Sequence, residues 1–328
     1  MDGLSRLNLA GSSPVFQQVL HSLHRLAEVD ATVLIGGETG TGKELAARAL
    51  HYLGPRSDRP FIPVNCGALS DTLLESELFG HERGAFTDAR RSSSGLVGEA
   101  QGGTLFLDEI DTLSPRAQGA LLRFLQDKTY RRVGGSGQAR ADVRVVVASN
   151  ADLAAMAEAR QFRTDLLYRL NVLSVVMPPL RERAGDAVEL ARLFVARLCS
   201  QYRRPLRALH EDAVAFIASY RWPGNVRELE NVIHRDFLLS EGELLYCAEA
   251  RQRLGKEAAG TEARHCFKDA KARAIAEFER RFVGELLARA GGNISQAARL
   301  AGKDRSAFGK LVRKYGMAAE SLGDLTPG

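Results

Sequence analysis

The sequence predicts an α/β fold with helical additions: a parallel sheet lying between helices, then an all-helical part, then a separate basic helical unit. Three observations predict it. Short, continuously apolar runs alternate with helical stretches through the first half of the chain; the pattern turns purely helical after Pro178-Pro179; and positive charge gathers in the last segment. The runs Thr32 to Ile35, Phe61 to Val64, Thr104 to Leu107, Val143 to Ala148 and Val172 to Met177 predict five strands covered by helices on both faces. Beyond Pro179, helical patterns such as Ala187 to Tyr202 and Glu211 to Tyr220 continue to about Tyr246. The expected division is a short segment 1–8, an α/β core 9–180, a helical subdomain 181–247, a linker 248–264 without a clear apolar stripe, and a terminal domain 265–328.

Composition excludes several classes. With 45% hydrophobic and 26% charged residues, the 328-residue chain has enough apolar material for a core, so pervasive disorder is not expected. Cys66, Cys199, Cys247 and Cys266 include no closely spaced pair, which gives neither a zinc site nor a disulfide framework sequence support. No run approaches the roughly 18 to 20 apolar residues of a membrane helix, and the N-terminus does not read as a signal peptide. A cytoplasmic protein with reduced thiols is expected. The net charge is +5, yet residues 264–317 hold thirteen Lys/Arg and five Asp/Glu, a net +8, so the rest carries −3. The terminal segment is therefore the basic body, with nucleic acid as its first candidate partner.

Directly after the first predicted strand stand Gly37, Glu38, Thr39, Gly40, Thr41, Gly42, Lys43 and Glu44, followed by a helical run. A glycine-rich turn between strand and helix lets backbone N–H groups approach a polyphosphate, and Lys43 adds charge for the outer phosphates. This is a P-loop in which Glu44 replaces the usual magnesium-binding Ser/Thr. The strand Leu105 to Leu107 then delivers two adjacent carboxylates, Asp108 and Glu109, at the end of the sheet where open α/β folds bind ligands. Asp108 is placed to hold magnesium and Glu109 to orient or deprotonate attacking water.

Four segments now identify a family. They are Gly37 to Glu44, Glu75 to Thr87 with its core Phe79-Gly80-His81-Glu82-Arg83-Gly84-Ala85-Phe86-Thr87, Phe162 to Leu170, and Trp222-Pro223-Gly224-Asn225-Val226-Arg227-Glu228-Leu229. Together they resemble the AAA+ activators of sigma-54 RNA polymerase, the bacterial enhancer-binding proteins, in which the P-loop also carries Glu at the position of Glu44. The resemblance runs from about Leu9 to Met317. It implies an AAA+ P-loop ATPase core with a helical lid, ATP and Mg2+ as ligands, and a ring, expected to be a hexamer. By the same resemblance Asn65 hydrogen-bonds Glu109 and switches it, Asn150 senses the terminal phosphate, Arg163 and Arg169 reach into the neighbouring subunit's site, and Arg227 senses nucleotide from the lid.

The residues themselves add conditions. On a regular helix Arg163 and Arg169 lie about 120° apart, so both serve one site only if a helix end intervenes; Asp165 and Arg169 are spaced for an intrahelical ion pair. Asn65 has the alternative of satisfying its own loop backbone. Asn225 as N-cap with Glu228 three residues on puts Arg227 in the first turn of a helix, where a cation opposes the dipole unless a phosphate is near.

In the basic segment, Ile275, Phe278, Phe282 and Leu286 share one helical face. Asn293 caps a helix from Ile294 to Ala301, Gly302 stops it, and Asp304 caps the next, a helix-turn-helix pattern. Phe308, Leu311, Val312 and Tyr315 form the core stripe of the last helix, while Ser306, Gly309, Lys310 and Arg313, flanked by Arg305 and Lys314, suit entry into a DNA major groove. The segment resembles the Fis-type domain that ends these activators and pairs them as dimers.

The expectation is an ATPase that binds double-stranded enhancer DNA and remodels the sigma-54 polymerase closed complex. Its polymerase-contacting loop is Gly84, Ala85, Phe86, Thr87, Asp88 and Ala89, whereas the family has Gly where Asp88 stands. That departure motivates one alternative, a regulator of other promoters in which ATP controls assembly only; a remodelling machine with another protein client is a second. About eight residues precede the core, so the expected control comes from a separate protein acting in trans, another subunit or expression level.

Overall fold

The computed structural model describes residues 9–68, 71–85, 89, 91–240, 242–247, 279, 282–284, 286–288 and 290–314, and it separates into two compact units, Met1–Glu249 and Ala250–Gly328. In the first unit all five predicted strands form: β1 (Val33–Gly36), β2 (Phe61–Asn65), β3 (Thr104–Asp108), β6 (Arg144–Ser149) and β7 (Leu173–Val176), with β4 (Thr129–Arg131) and β5 (Gln138–Arg140) between. The five make one parallel sheet in the order β2-β3-β6-β1-β7. Its continuously apolar strands alternate between two cores. Leu105, Leu107, Val145 and Val147 enter one hydrophobic cluster; Phe106, Val146, Ala148, Val33 and Ile35 enter the other.

Helices α1 (Pro14–Ala27) and α2 (Lys43–Tyr52) pack in the second cluster, where Phe16, Leu23 and Leu50 are buried. Each such side chain contributes about 1.5–3 kcal/mol of apolar transfer. The first cluster takes α3 (Asp71–Phe79), α4 (Gly95–Glu99), α5 (Pro115–Asp127), α6 (Leu153–Glu158) and α7 (Thr164–Leu170). Local chemistry sets their starts: Ser114 accepts from the Ala117 N–H at 3.3 Å ahead of Pro115, and Asp152 accepts from Ala154 and Ala155 at 2.9 and 3.1 Å.

The lid holds α8 (Asp186–Gln201), α9 (Glu211–Ser219) and α10 (Asn225–Leu239), packed through Leu190, Leu198, Ile217, Leu229, Ile233 and Phe237. It is not purely helical, contrary to the pattern after Pro179. Two short strands, β8 (Ala208–Leu209) and β9 (Leu244–Leu245), pair in parallel. Two-residue strands lie below the length at which alternation can be read. The antiparallel β4–β5 hairpin was likewise missed, for the same reason.

In the second unit, α11 (Ile294–Leu300) and α12 (Arg305–Lys314) form the predicted helix-turn-helix. Asn293 accepts from Ser295 and Gln296 at 3.0 and 3.2 Å, Gly302 has φ 61°, and Asp304 accepts from Ala307 at 2.8 Å. Phe308 and Val312 are buried with Val283, Leu287 and Ala297, and Leu311 packs against them. Ile275, Phe278, Tyr315, the linker 248–264 and the segment 1–8 lie outside the described residues.

Candidate functional site

The chain leaves β1 between its neighbours β6 and β7 and turns through Gly37–Gly42 into α2, at the carboxyl end of the sheet. Gly40 (φ 79°) and Gly42 (φ 97°) take the left-handed backbone the turn requires. Space excludes a side chain at Gly40 as well: a Cβ there would sit 2.3 Å from the Gly224 carbonyl oxygen. Lys43 is buried, and its ammonium donates to the carbonyls of Gly37 (2.7 Å) and Glu38 (3.1 Å). Burial pulls its pKa below the usual lysine value, and the Arg227 charge acts the same way against Asp108, Asp111 and Glu109.

Asp108 ends β3, two strand positions from β1 and so about 10 Å away. Burial raises its pKa, opposed by the Glu109 N–H (2.9 Å) and by Lys43. Glu109 occupies left-handed backbone, φ 55° and ψ 45°, held there by Thr112, whose N–H and hydroxyl both donate to its carbonyl at 3.0 and 2.7 Å. A non-glycine residue in that region costs about 1–3 kcal/mol and is characteristic of functional sites.

Gly67 is a site residue that sequence reasoning missed. A Cβ there would lie 2.6 Å from Glu109 Oε2, so the absent side chain leaves room for the carboxylate. Gly67→Ala is expected to fold normally, because a carboxylate terminus can swing aside, but to displace Glu109 and lower ATP turnover by about tenfold. Equal melting temperatures with unchanged turnover would remove Gly67 from the site.

Asn65 pairs in register with Asp108, but the expected hydrogen bond to Glu109 is not formed: its Oδ1 accepts from the Gly67 and Ala68 N–H groups at 2.8 and 3.1 Å. The loop-satisfying alternative describes this arrangement. Asn150 follows β6. With its amide assigned so that the nitrogen faces the Asp111 carboxylate, Asn150 donates to Asp111 at 3.0 and 3.1 Å and its oxygen accepts from the Thr39 hydroxyl at 3.2 Å, joining the P-loop to the acidic side of the site.

From the lid, α10 runs directly against the P-loop. The Val226 N–H donates to the Gly40 carbonyl at 3.0 Å, and the Arg227 stem faces Gly40, where a Cβ would lie 3.1 Å from the Arg227 Cβ. Arg227 sits in the first turn of α10 as expected, but the N-cap is Gly224, whose N–H donates to Glu228 Oε2 at 2.8 Å. Asn225 is turned inward instead. Its Oδ1 accepts from the Leu180 N–H (2.8 Å) and its Nδ2 donates to the Thr39 carbonyl (3.0 Å) and Glu38 (3.2 Å). Glu38 also receives both terminal nitrogens of Arg181 at 2.6 and 2.8 Å. These bonds, Arg181 first and Asn225 second, hold the Glu38 carboxyl at about 2. A depressed carboxyl contributes stability above its ordinary pKa and loses it only as pH falls through about 2, so this contact persists across neutral pH. Glu44, the other P-loop acid, pairs with Arg48 one turn on at 2.8 Å.

Arg163 and Arg169 flank α7. The intervening helix end exists: Arg163 is the N-cap in extended backbone, and Arg169 lies in the last turn. Both are exposed. Asp165 pairs with Arg163 at 2.8 Å rather than with Arg169, because the N-cap side chain folds back over the first turn. Of the loop 84–89, residues 86–88, Asp88 included, lie outside the described residues. The base of that loop is fixed: Gly84 N–H donates to the Ala89 carbonyl at 2.9 Å, the Glu82 N–H donates to the Val133 carbonyl at 3.0 Å, and the Glu82 carboxylate pairs with Arg132 at 3.0 Å.

In the second unit Arg305, Ser306 and Lys310 are exposed and Gly309 is half-buried. Lys314 is engaged with Glu279 at 2.9 Å, and the Arg313 side chain lies outside the described part.

Residues 9–176 match the family model for the sigma-54 interaction domain, and residues 181–265 match that for the AAA+ ATPase lid domain. The Nif-specific regulatory protein of Azotobacter vinelandii is 50% identical over 71% of this chain and 44% of its own length; nitrogen fixation protein AnfA of the same organism is 40% identical over 96% and 58%. The chain thus spans about half the length of these two relatives. The transcriptional regulatory protein ZraR of Klebsiella oxytoca is 43% identical over 94% of this chain and 69% of its own. Among solved structures, NtrX from Brucella abortus in complex with ATP superposes with a TM-score of 0.69 at 31% identity, covering 94% of this chain and 69% of that one. With a P-loop, an acidic strand end and a lid arranged on one sheet and both family models matched in order, the chain belongs to the sigma-54 interaction domain family of AAA+ proteins.

Proposed function

We propose that the protein is an ATP-hydrolysing transcriptional activator that binds enhancer DNA and remodels the sigma-54 RNA polymerase closed complex. The observation that carries it is the meeting of Lys43, Asp108, Glu109, Asn150 and Arg227 around the end of one parallel sheet, within the residues that match the sigma-54 interaction domain. In this reading residues 37–44 cradle the phosphates, and Lys43 exchanges its carbonyl contacts for the outer ones. Glu109 takes the proton of the attacking water, and Asn150 senses the terminal phosphate. Asn65 releases the Gly67 and Ala68 amides when it turns to restrain Glu109.

The donor set fits Mg2+. Among the described residues no group of three or more potential ligands forms a metal cage, and Mg2+ is ordinarily held by one or two carboxylates together with phosphates and water. Asp108, whose burial already disfavours its uncompensated charge, is the residue that would hold it. Bound there, the ion supplies charge neutralisation on the phosphates.

Arg163 and Arg169 act on the neighbouring subunit's nucleotide, which makes a ring, expected to be a hexamer, the working form. The loop 84–89 contacts sigma-54, and α12 enters DNA through Arg305, Ser306, Lys310, Arg313 and Lys314, the last after leaving Glu279. Lys310→Ala together with Arg305→Ala is expected to weaken enhancer binding by at least about tenfold and to flatten its salt dependence, while ATP turnover at high protein concentration stays within about twofold. Gel shifts and phosphate release on one preparation check it, and unaltered DNA affinity removes α12 from the interface.

Asp88 favours the second reading, in which ATP controls assembly at promoters outside the sigma-54 class, because it adds a negative charge in each copy of a loop the family keeps neutral at that position. In vitro transcription separates the two. Stimulation of the sigma-54 enzyme with ATP supports the first reading; stimulation of the housekeeping enzyme alone supports the second.

A further inference from the structure

The segment Leu180–Asp186 carries two arginines that reach in different directions. Arg183 is 2% exposed and meets Asp186, 0% exposed, at 2.8 Å. Asp186 also accepts from the Ser12 and Ser13 N–H groups (2.9 and 2.8 Å) and the Ser13 hydroxyl (2.9 Å). Arg183 further donates to the Ala10 carbonyl at 2.8 Å and stacks on Phe16, its guanidinium carbon 3.6 Å from the ring centroid. Breaking this buried pair would strand a charge, so it acts as a fixed pivot between the core and the lid. Arg181, two residues earlier, forms the bidentate pair with Glu38, but there the side chains are 39% and 43% exposed. Such a pair forms and separates at small cost. Beside it, buried Asn225 ties three backbones together through Leu180, Thr39 and its own helix α10.

We propose that Arg181 and Asn225 are positioning residues for nucleotide, forming a latch that holds the P-loop against the helix bearing Arg227 while the lid turns about the Arg183–Asp186 pivot. Neither touches the reacting atoms. Their effect runs through Glu38, the Thr39 carbonyl and the Val226–Gly40 hydrogen bond, which set where the Arg227 stem stands relative to the loop. The inference rests on the reading of residues 37–44 as a nucleotide site.

The whole 328-residue chain is tested as wild type, Arg181→Gln, the single variants Glu38→Arg and Arg181→Glu, the charge-exchanged Glu38→Arg/Arg181→Glu, and the near-isosteric Asn225→Asp. A fluorescent ADP analogue gives affinity, steady-state phosphate release gives kcat and KM, and amide exchange is followed at Val226 and Leu180. Arg181→Gln is expected to raise KM and the ADP dissociation constant about fivefold with kcat altered less than twofold, and to speed exchange at Val226. Asn225→Asp is expected to speed exchange at Val226 too, since its carboxylate faces Glu38 and the Thr39 carbonyl without a proton to give either. The exchanged pair is expected to recover affinity beyond the product of its two single variants. Unchanged ADP affinity with unchanged Val226 exchange in Arg181→Gln overturns the latch, as does an exchanged pair no better than that product. If the wild type binds no ADP, the nucleotide reading fails instead, and amide exchange alone decides whether the latch exists.

Discussion

Glu109→Gln is expected to bind ATP normally and to lose hydrolysis by about 10²- to 10⁴-fold. The amide is nearly isosteric and leaves the left-handed backbone and its Thr112 bonds in place, so the loop geometry survives. What disappears is the acceptor for the water proton. Asp108 does not substitute for it: its Oδ1 is engaged by the Glu109 N–H, and in the proposed reading it would hold Mg2+. The measurement is phosphate release at saturating ATP beside binding of a fluorescent ATP analogue. Turnover within about threefold of wild type would take Glu109 out of the base role, whereas lost binding would make it a structural residue of the strand end. Asp108→Asn separates the two carboxylates further, since it should weaken magnesium-dependent nucleotide binding as well as turnover.

Much of this site was legible before any geometry, and the residues show why. The strand–turn–helix at Val33 to Lys43 and the strand ending in Asp108-Glu109 announce themselves because a buried parallel strand is apolar throughout and its functional residues follow the last apolar one. The helix-turn-helix was equally plain, since Asn293, Gly302 and Asp304 each act on neighbours within three residues. Long-range roles were not. Asn225 carries the residue type and position of an N-cap, and only the approach of Leu180 and Thr39, distant in sequence, turns it inward and hands the cap to Gly224. Arg181 looks like any surface arginine until Glu38 lies across from it. Gly67 could have been flagged by one signal, a glycine directly after the Asn65-Cys66 strand end, but what it makes room for comes from β3.

Mixing inactive variants should restore activity if the catalytic site is divided between subunits. Arg163→Ala and Arg169→Ala are each expected to lower turnover by about 10³-fold, in the range of an arginine that stabilises a transferring phosphoryl group, while keeping their own nucleotide affinity. Lys43→Ala should do the reverse, losing its own nucleotide while still offering both arginines. A ring containing the two kinds then includes some interfaces with every part intact, so an equimolar mixture should exceed the summed activities of its components several-fold. The two arginines start from different conditions. Arg169 is exposed at the end of α7, whereas Arg163 must leave Asp165, a solvent-exposed pair that separates at small cost. Asp165→Asn is accordingly expected to leave turnover within about fivefold of wild type, since it frees Arg163 without removing it. A mixture that never exceeds the sum of its parts, measured at protein concentrations where the ring is assembled, would place both arginines outside the shared site and confine catalysis to groups within one chain.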